Sequence, residues 1–422
     1  MKTLLPFLIL VELCLFAFDL QAADWTQQTT PVPRPTGYTA GGTWDPQNMK
    51  IVYDSRRNVT VGIGGYANPP LPYLPVSEYN GAQWISRAEG LSANSPSGRT
   101  IGGAVFDSVR GVTVVYGGYV GTQFLNELWE YNGNSWVQRT WTGPGPAAYG
   151  RTVLCYDPHR ARIICLKESF LAYNTFETWE WTGSAWERGP DLPQIDVSAA
   201  EMVFDIARNR AFVYSLGTGR FTEYVWEYVP STHAAQGVWQ AITTSGSPFE
   251  GRVGVSLVYH SRLNVIFRIG GRFVSNIYSF TNDTQVWDAT RLKWVQLIDG
   301  FFPDASRRAF ANSCFDEDRG VIELYRGALV LGDGTVISHT DMWEWTDQNP
   351  TDTWLDFSYI SSPRDGTPTH PWNTLRSAIY RAPVGGTIYL KAGISSETIN
   401  SRDFRIMPVV LKAVNGPVTI GQ

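Results

Sequence analysis

The sequence predicts an all-β chain built mainly as a β-propeller of six four-stranded blades. Three observations predict it. First, a frame of an aromatic residue, a polar turn and an apolar strand recurs six times: "YDSRRNVTVGIGG" from Tyr53, "FDSVRGVTVVYGG" from Phe106, "YDPHRARIICLKE" from Tyr156, "FDIARNRAFVYSL" from Phe204, "YHSRLNVIFRIGG" from Tyr259 and "FDEDRGVIELYRG" from Phe315. Second, each copy is followed by a stretch like "LWEYNGNSW" (128–136), an aromatic and acidic strand, a turn and a tryptophan. Third, charged residues are 17% of the chain, below the roughly 25% usual in soluble proteins, while 40 glycines, 25 prolines and 14% aromatics favour short strands and tight turns over long helices.

The elements follow in chain order. Lys2, the apolar run of Leu4 to Val11 and Leu13 to Phe18, and the small residues of "LQAAD" read as an export leader over residues 1–23. That places the protein in a secreted, periplasmic or cell-surface setting. Glu12 and Asp19 argue against a spanning helix, and no later stretch is long and apolar enough to cross a bilayer. The net charge of −5 is spread out with no basic stripe, which argues against nucleic acid as a partner.

Trp25 resembles a stray copy of the closing tryptophan. With "GYTAGGTWDPQNMK" (37–50) it is read either as a strand that closes the ring against the last blade, the favoured count of six, or as part of a seventh blade. The first two strands of each blade form a hairpin; the copies from Tyr53 and Phe106 share eight of thirteen residues. The third and fourth strands recur as "SEYNGAQW", "TWEWTGSAW", "VWEYVPSTHAAQGVW", "VWDATRLKW" and "MWEWTDQNPTDTW", so that Trp84, Trp136, Trp186, Trp239, Trp294 and Trp354 close six units.

These residues resemble kelch-type β-propeller repeats of the kind found in the central domain of galactose oxidase. Gly64-Gly65, Gly117-Gly118 and Gly270-Gly271 carry the double glycine of that pattern, and the third, fourth and sixth units depart from it. The resemblance spans residues 24–356. Beyond it, "THPWNTLRSAIYRAPVGGTIYLKAG" predicts a helix from Asn373 or Thr374 to Ala382, with Leu375, Ala378, Ile379 and Ala382 on one face. Short strands follow at "TIYL", "VVLKA" and "VTIG", with Leu390 and Leu411 in repeat. Residues 357–422 resemble the N-terminal cap and first rungs of a right-handed parallel β-helix of the pectate-lyase type. One or two rungs leave a sheet edge uncovered, so the expectation is further rungs beyond Gln422 or packing onto the propeller.

Repetition separates architecture from chemistry. The acids of the second frame recur as Glu78, Glu130, Glu180, Glu227, Asp288 and Glu344, and a catalytic acid is needed only once per site. Asp54, Asp107, Asp157, Asp205 and Asp316 each precede an arginine by three residues and read as turn-formers. Past the leader the cysteines are Cys155, Cys165 and Cys314. An intrablade disulfide between Cys155 and Cys165 is one reading, and small buried apolar residues the other. A sugar oxidase would need converging imidazoles and tyrosines on copper, but His159, His233, His260, His339 and His370 share no loop and no metal-ligand spacing. No metal or other cofactor is expected.

The loops between second and third strands differ from blade to blade and hold Tyr66, Tyr73, Phe124, Tyr173, Phe221, Arg272, Phe273 and Tyr278. Aromatic faces beside polar groups suit sugars or protein loops, and the same residues could simply cover blade ends. The sequence therefore favours a non-catalytic propeller that binds an extracellular glycan or protein and presents the adjoining β-helix. The alternative is a polysaccharide lyase with its catalytic rungs mostly beyond this chain.

Overall fold

The structure is a computed structural model and describes residues 15–16, 25–29, 43–68, 73–87, 94–193, 195–217, 222–231, 237–244, 251–276, 278–296, 307–346, 353–360, 371–375, 378, 387–396 and 408–420. Except for Leu15–Phe16, the expected leader lies outside them, as do most of the helix expected at 373–382 and the side chains of Tyr66 and Phe221.

Residues 25–346 contain six antiparallel four-stranded sheets. Their inner strands, Thr43–Asp54, Gly103–Asp107, Thr152–Asp157, Glu201–Asp205, Ser256–His260 and Asn312–Asp316, touch in sequence and the sixth returns to the first, so the ring is closed. The sixth blade takes Asn312–Asp316, Val321–Tyr325 and Met342–Thr346 from one end of the chain and Trp25–Gln28 as its outer strand. Trp25 stands opposite Trp345 there. Backbone hydrogen bonds between distant parts of the chain thus fasten the ring, and the count is six. Two expectations are corrected. Trp354 does not close the sixth blade, because that edge is already occupied by Trp25–Gln28. Residues 43–50 form no extra hairpin: they belong to the long inner strand of the first blade, bulged between Asp45 and Met49.

Five of the six blades are held by the same ion network. The aspartate ending the inner strand caps the turn by accepting backbone amides two or three residues on. It also pairs with the arginine three residues on: Asp54 with Arg57, Asp107 with Arg110, Asp157 with Arg160, Asp205 with Arg208, and Asp316 with Arg319, at 2.6–2.7 Å. The same guanidinium reaches the third-strand acid, Glu78, Glu130, Glu180, Glu227 or Glu344. The acids are buried, so each depends on its arginine for charge compensation. The pairs are therefore more than turn-formers, since they tie the first hairpin to the third strand.

The closing tryptophan packs on the aromatic opposite it, with Tyr79–Trp84, Tyr131–Trp136, Trp181–Trp186, Tyr228–Trp239 and Trp287–Trp294 centroids 4.9–5.3 Å apart. Such pairs contribute roughly 0.5–1.5 kcal/mol beyond area burial.

Neighbouring blades join through these turns by two alternating devices. In the first, third and fifth blades the residue two after the turn acid is basic and reaches the next blade's turn. Arg56 donates to the Ser108 carbonyl (3.2 Å), His159 Nε2 to the Ile206 carbonyl (2.9 Å) and Arg262 to the Asp318 carbonyl (3.0 Å). At the other three joints a tyrosine hydroxyl accepts a turn amide: Tyr156 from Val109, Tyr259 from Ala207, and Tyr53 from Asp318, at 3.1–3.3 Å. The even blades have phenylalanine at the tyrosine position: Phe106, Phe204 and Phe315. The ring therefore repeats every two blades.

The fifth blade departs from the rule. His260 replaces the aspartate and Leu263 the arginine, and the Leu263 amide donates to His260 Nδ1 at 3.2 Å, preserving the cap without the charge. The ring lies 4.0 Å from Phe315, and burial pulls its pKa down to about 3.

Residues beyond the propeller form a separate unit. In it Thr353–Leu355 pairs in parallel with Thr387–Ser395, which pairs in parallel with Pro408–Ile420. Leu355, Leu375, Ala378, Ile388 and Leu390 make its core. Leu390 stands opposite Ala413 and Ile388 opposite Leu411, so Leu390 and Leu411 are not partners: the register is two residues longer than their spacing implied.

Two outcomes are expected. Arg110→Met leaves Asp107 and Glu130 without their shared cation and lowers unfolding free energy by about 3–5 kcal/mol. Arg139→Ala, at a half-exposed arginine that also pairs with Glu130, costs at most about 1 kcal/mol. Urea unfolding compares them. For His260 the folded value of about 3 lies below the ordinary 6.5, so unfolding takes up a proton between the two. Its contribution to stability is intact above pH 6.5 and is lost as pH falls towards 3. His260→Asn should flatten the fall of melting temperature with pH across that window.

Candidate functional site

At the turn end of the ring every blade carries related chemistry. At the opposite end, where inner strands begin and second strands finish, the blades differ. Four residues before each turn acid (or its histidine) stand Lys50, Gly103, Val153, Glu201, Ser256 and Asn312. They line the mouth of an axial cavity of about 350 Å³, together with Thr100, Arg151, Thr152, Phe310 and Ser313 among others. Arg151 is anchored to the Ala200 carbonyl (3.0 Å) and to Glu201 (2.8 Å). Ser256 and Ser313 hydroxyls lie 2.7 Å apart.

Beside this mouth the second and third blades raise an aromatic rim. After the second strand of the second blade, Gly117 and Gly118 take φ of +71° and +96°, which turns the chain outward. A Cβ on Gly118 would stand 2.1 Å from the Thr100 carbonyl, so only glycine fits. The chain then makes a small hairpin, Tyr119–Val120 against Gln123–Phe124, with Phe124 directly opposite Tyr119. Tyr119 exchanges both backbone hydrogen bonds with Thr100, which ties the hairpin to the cavity wall. The Tyr119 and Phe124 rings meet edge-on at 5.9 Å, Phe124 is 5.9 Å from Tyr149, and Tyr149 meets Phe170 edge-on at 5.2 Å.

Phe170 begins the corresponding loop of the third blade. Ser169 Oγ accepts the amides of Leu171 and Ala172, both at 3.2 Å, and the Ser169 amide donates to the Thr175 carbonyl. This tight turn holds its apolar side chains outward: Phe170, Leu171 and Tyr173 are 71%, 87% and 91% exposed. The loop thus leaves three large side chains in water while its backbone is held by its own hydrogen bonds.

The structure sorts the sequence candidates. Phe124 belongs to the aromatic run, and Tyr173 lies on the same exposed loop as Phe170. Arg272 and Phe273 do not join them; they pair with Arg252–Val253 in the fifth blade, where the Arg252 guanidinium covers the Phe273 ring at 4.8 Å. Tyr73 is part-buried in the first blade, Tyr278 is exposed in the fifth, and the Tyr66 and Phe221 side chains lie outside the described residues. Sequence reading missed Tyr119, Tyr149, Phe170 and Leu171. The available signal was the extra residues of "GGYVGTQF" and "SFLAY", which exceed what a tight second-to-third-strand connection needs. It also missed Lys50 and Glu201, whose polar character stands out once the six inner strands are aligned.

The disulfide expectation is corrected. Cys155 pairs with Ile164 and Leu154 with Cys165, so the two thiols point to opposite faces of one sheet. They belong to different interblade cores and both are free. Successive strand residues alternate faces, so bonding them would require a register slip of one residue. Burial raises Cys155 well above the ordinary thiol value and Cys165 to about 12. Among the described residues no group of three potential ligands could hold a metal ion. His159 and His260 lie at turns of different blades, His339 is near the sixth blade's third strand, and His233 and His370 are outside the described residues.

No protein-family model matches the chain, and no curated protein matches it. Solved structures similar to it include YjhT, 13% identical with a TM-score of 0.47, covering 73% of this chain and 95% of that one. Another is a fungal alcohol oxidase of the AA5 family in complex with copper, also 13% identical with a TM-score of 0.47, covering 76% of this chain and 70% of that one.

A thiol titration tests the cysteine geometry. Cys155, Cys165 and Cys314 should stay unreactive to a colorimetric disulfide reagent in the folded protein and all react on unfolding. Reductant should leave the melting temperature unchanged; a drop on reduction would contradict the opposed thiols.

Proposed function

We propose that this chain is a non-catalytic recognition module acting outside the cytoplasm, with the rim of the second and third blades holding a glycan. The carrying observation is the aromatic run Tyr119, Phe124, Tyr149 and Phe170, extended by exposed Leu171 and Tyr173 on loops fixed by their own hydrogen bonds. Aromatic faces set close together stack on the apolar C–H faces of sugar rings. Polar neighbours such as Gln123 and Thr122 can hydrogen-bond hydroxyl groups. Preformed loops reduce the ordering cost of binding.

The propeller supplies rigidity and the export leader supplies the compartment. In this reading the parallel-stranded region after Leu355 is the first part of a β-helix presented by the propeller. A protein loop as ligand has its own supporting observation: Phe170 and Leu171 carry no side-chain hydrogen-bonding group and suit an apolar anchor.

Glycan-array binding by the wild-type protein, repeated with Tyr119→Ala, Phe170→Ala and Tyr173→Ala, tests the reading. Each variant should weaken a retained glycan roughly tenfold or more, since stacked aromatics are energetic centres of such contacts. Their exposed positions should leave the melting temperature within a few degrees of wild type. Absence of any bound glycan, or binding unchanged by all three substitutions, would overturn it.

A further inference from the structure

The axial cavity contains a group that the rim does not use. Lys50 projects from the inner strand of the first blade and Glu201 from that of the fourth, diametrically opposite in a six-membered ring. Lys50, Arg151 and Glu201 are the ionisable side chains among the cavity-lining residues. Their environments differ. Arg151 is held by the Ala200 carbonyl and by Glu201, whereas the Lys50 amine makes no side-chain hydrogen bond or ion pair among the described residues. The corresponding positions in the other blades carry no second amine: they are Gly103, Val153, Ser256 and Asn312.

We infer that the axial cavity is a reversible covalent site for a small polar aldehyde or ketone, including the open-chain form of a sugar, with Lys50 as its nucleophile. The geometry fits that chemistry. The cavity of about 350 Å³ is sized for a small ligand, and Ser256, Asn312 and Ser313 supply neutral groups for its hydroxyls. Gly103, opposite Ser256 in the order of blades, contributes no side chain and leaves room.

The step conserves atoms and electrons. The Lys50 Nζ lone pair attacks the carbonyl carbon, a C–N bond forms, and the carbonyl π pair moves onto oxygen, which takes a proton. The resulting carbinolamine then loses that oxygen as water while a nitrogen proton leaves, giving C=N. Amine plus carbonyl compound therefore gives imine plus water, with no oxidant or reductant. Glu201 is the one carboxylate among the described cavity-lining residues, and we assign it the transfer of the nitrogen proton to the departing hydroxyl. Burial holds the Lys50 amine below the ordinary lysine value; Glu201 opposes this lowering and Arg151 adds to it. Burial and a neighbouring cation are the two devices that activate lysine as a nucleophile, because both increase the share of amine carrying a free lone pair at a given pH.

The test is competitive labelling of the full chain with limiting glycolaldehyde and cyanoborohydride, which reduces the C=N to a stable secondary amine. Peptide mapping reads which lysine reacts first. Lys50 should be labelled about tenfold faster than exposed lysines near neutral pH, and its labelling should saturate with pH before theirs. Glu201→Gln should slow labelling at Lys50 and nowhere else. Lys50→Arg, which keeps charge and length without a comparable nucleophile, should remove the fast adduct while rim binding persists. Labelling of Lys50 at or below the rate of exposed lysines would overturn the inference, and that reading needs only the wild-type protein. Loss of glycan binding at the rim would leave this result untouched, so the two proposals fail separately.

Discussion

The structure rests on one repeated interaction, a partly buried guanidinium shared between two buried carboxylates. An aspartate at the end of an inner strand and a glutamate on the third strand are both withdrawn from water, and neither can remain charged alone without a large desolvation cost. The arginine three residues after the aspartate reaches both. That choice fixes the turn, the spacing of first hairpin to third strand, and the depth at which the closing tryptophan packs. It also positions the arginine against the next blade: Arg57 stands 5.6 Å from the Tyr131 ring and against Gly133, and Arg319 stands 5.4 Å from the Tyr79 ring and against Gly81. In this arginine contact, though not in the turn device, the last joint of the ring matches the first.

The turn-end joints show why the ring repeats in pairs. A basic side chain that reaches forward and a tyrosine hydroxyl that reaches back occupy the same blade, so the neighbouring blade needs neither. Phe106, Phe204 and Phe315 stand at the tyrosine position in those neighbouring blades. The fifth blade shows how far the scheme bends. Exchanging Asp and Arg for His260 and Leu263 keeps the amide cap and removes a charge pair in one coordinated change, leaving a buried neutral imidazole.

Because one end of the ring is committed to this network, variation is concentrated at the other. There each blade contributes a different residue to the axial mouth, and two neighbouring blades extend their connections into an aromatic rim. The two features differ in physics. The rim is exposed and aromatic, whereas the mouth is small and lined mainly by polar groups. Tyr119 and Thr100 join them through the backbone, so the extra hairpin is anchored to the cavity wall.

The sequence by itself determined the blade count, the hairpin and closing-strand frames, the architectural role of the recurring acids, and the closing role of a strand at Trp25. All of these are periodic, and a one-dimensional period survives in the order of residues. Tertiary structure decided what depends on contacts across the ring or on register. Trp354 resembles a closing tryptophan in sequence, yet Trp25 takes that edge because a closed ring lets the chain's beginning supply the last strand. Cys155 and Cys165 appear opposed in an idealised hairpin, but a register one residue different puts them on opposite faces. Phe124 and Tyr173 were legible as loop aromatics, whereas their common rim depends on adjacent blades bringing loops separated in sequence to one edge. Lys50 and Glu201, about 150 residues apart, came to face one cavity only when six strands had converged on one axis.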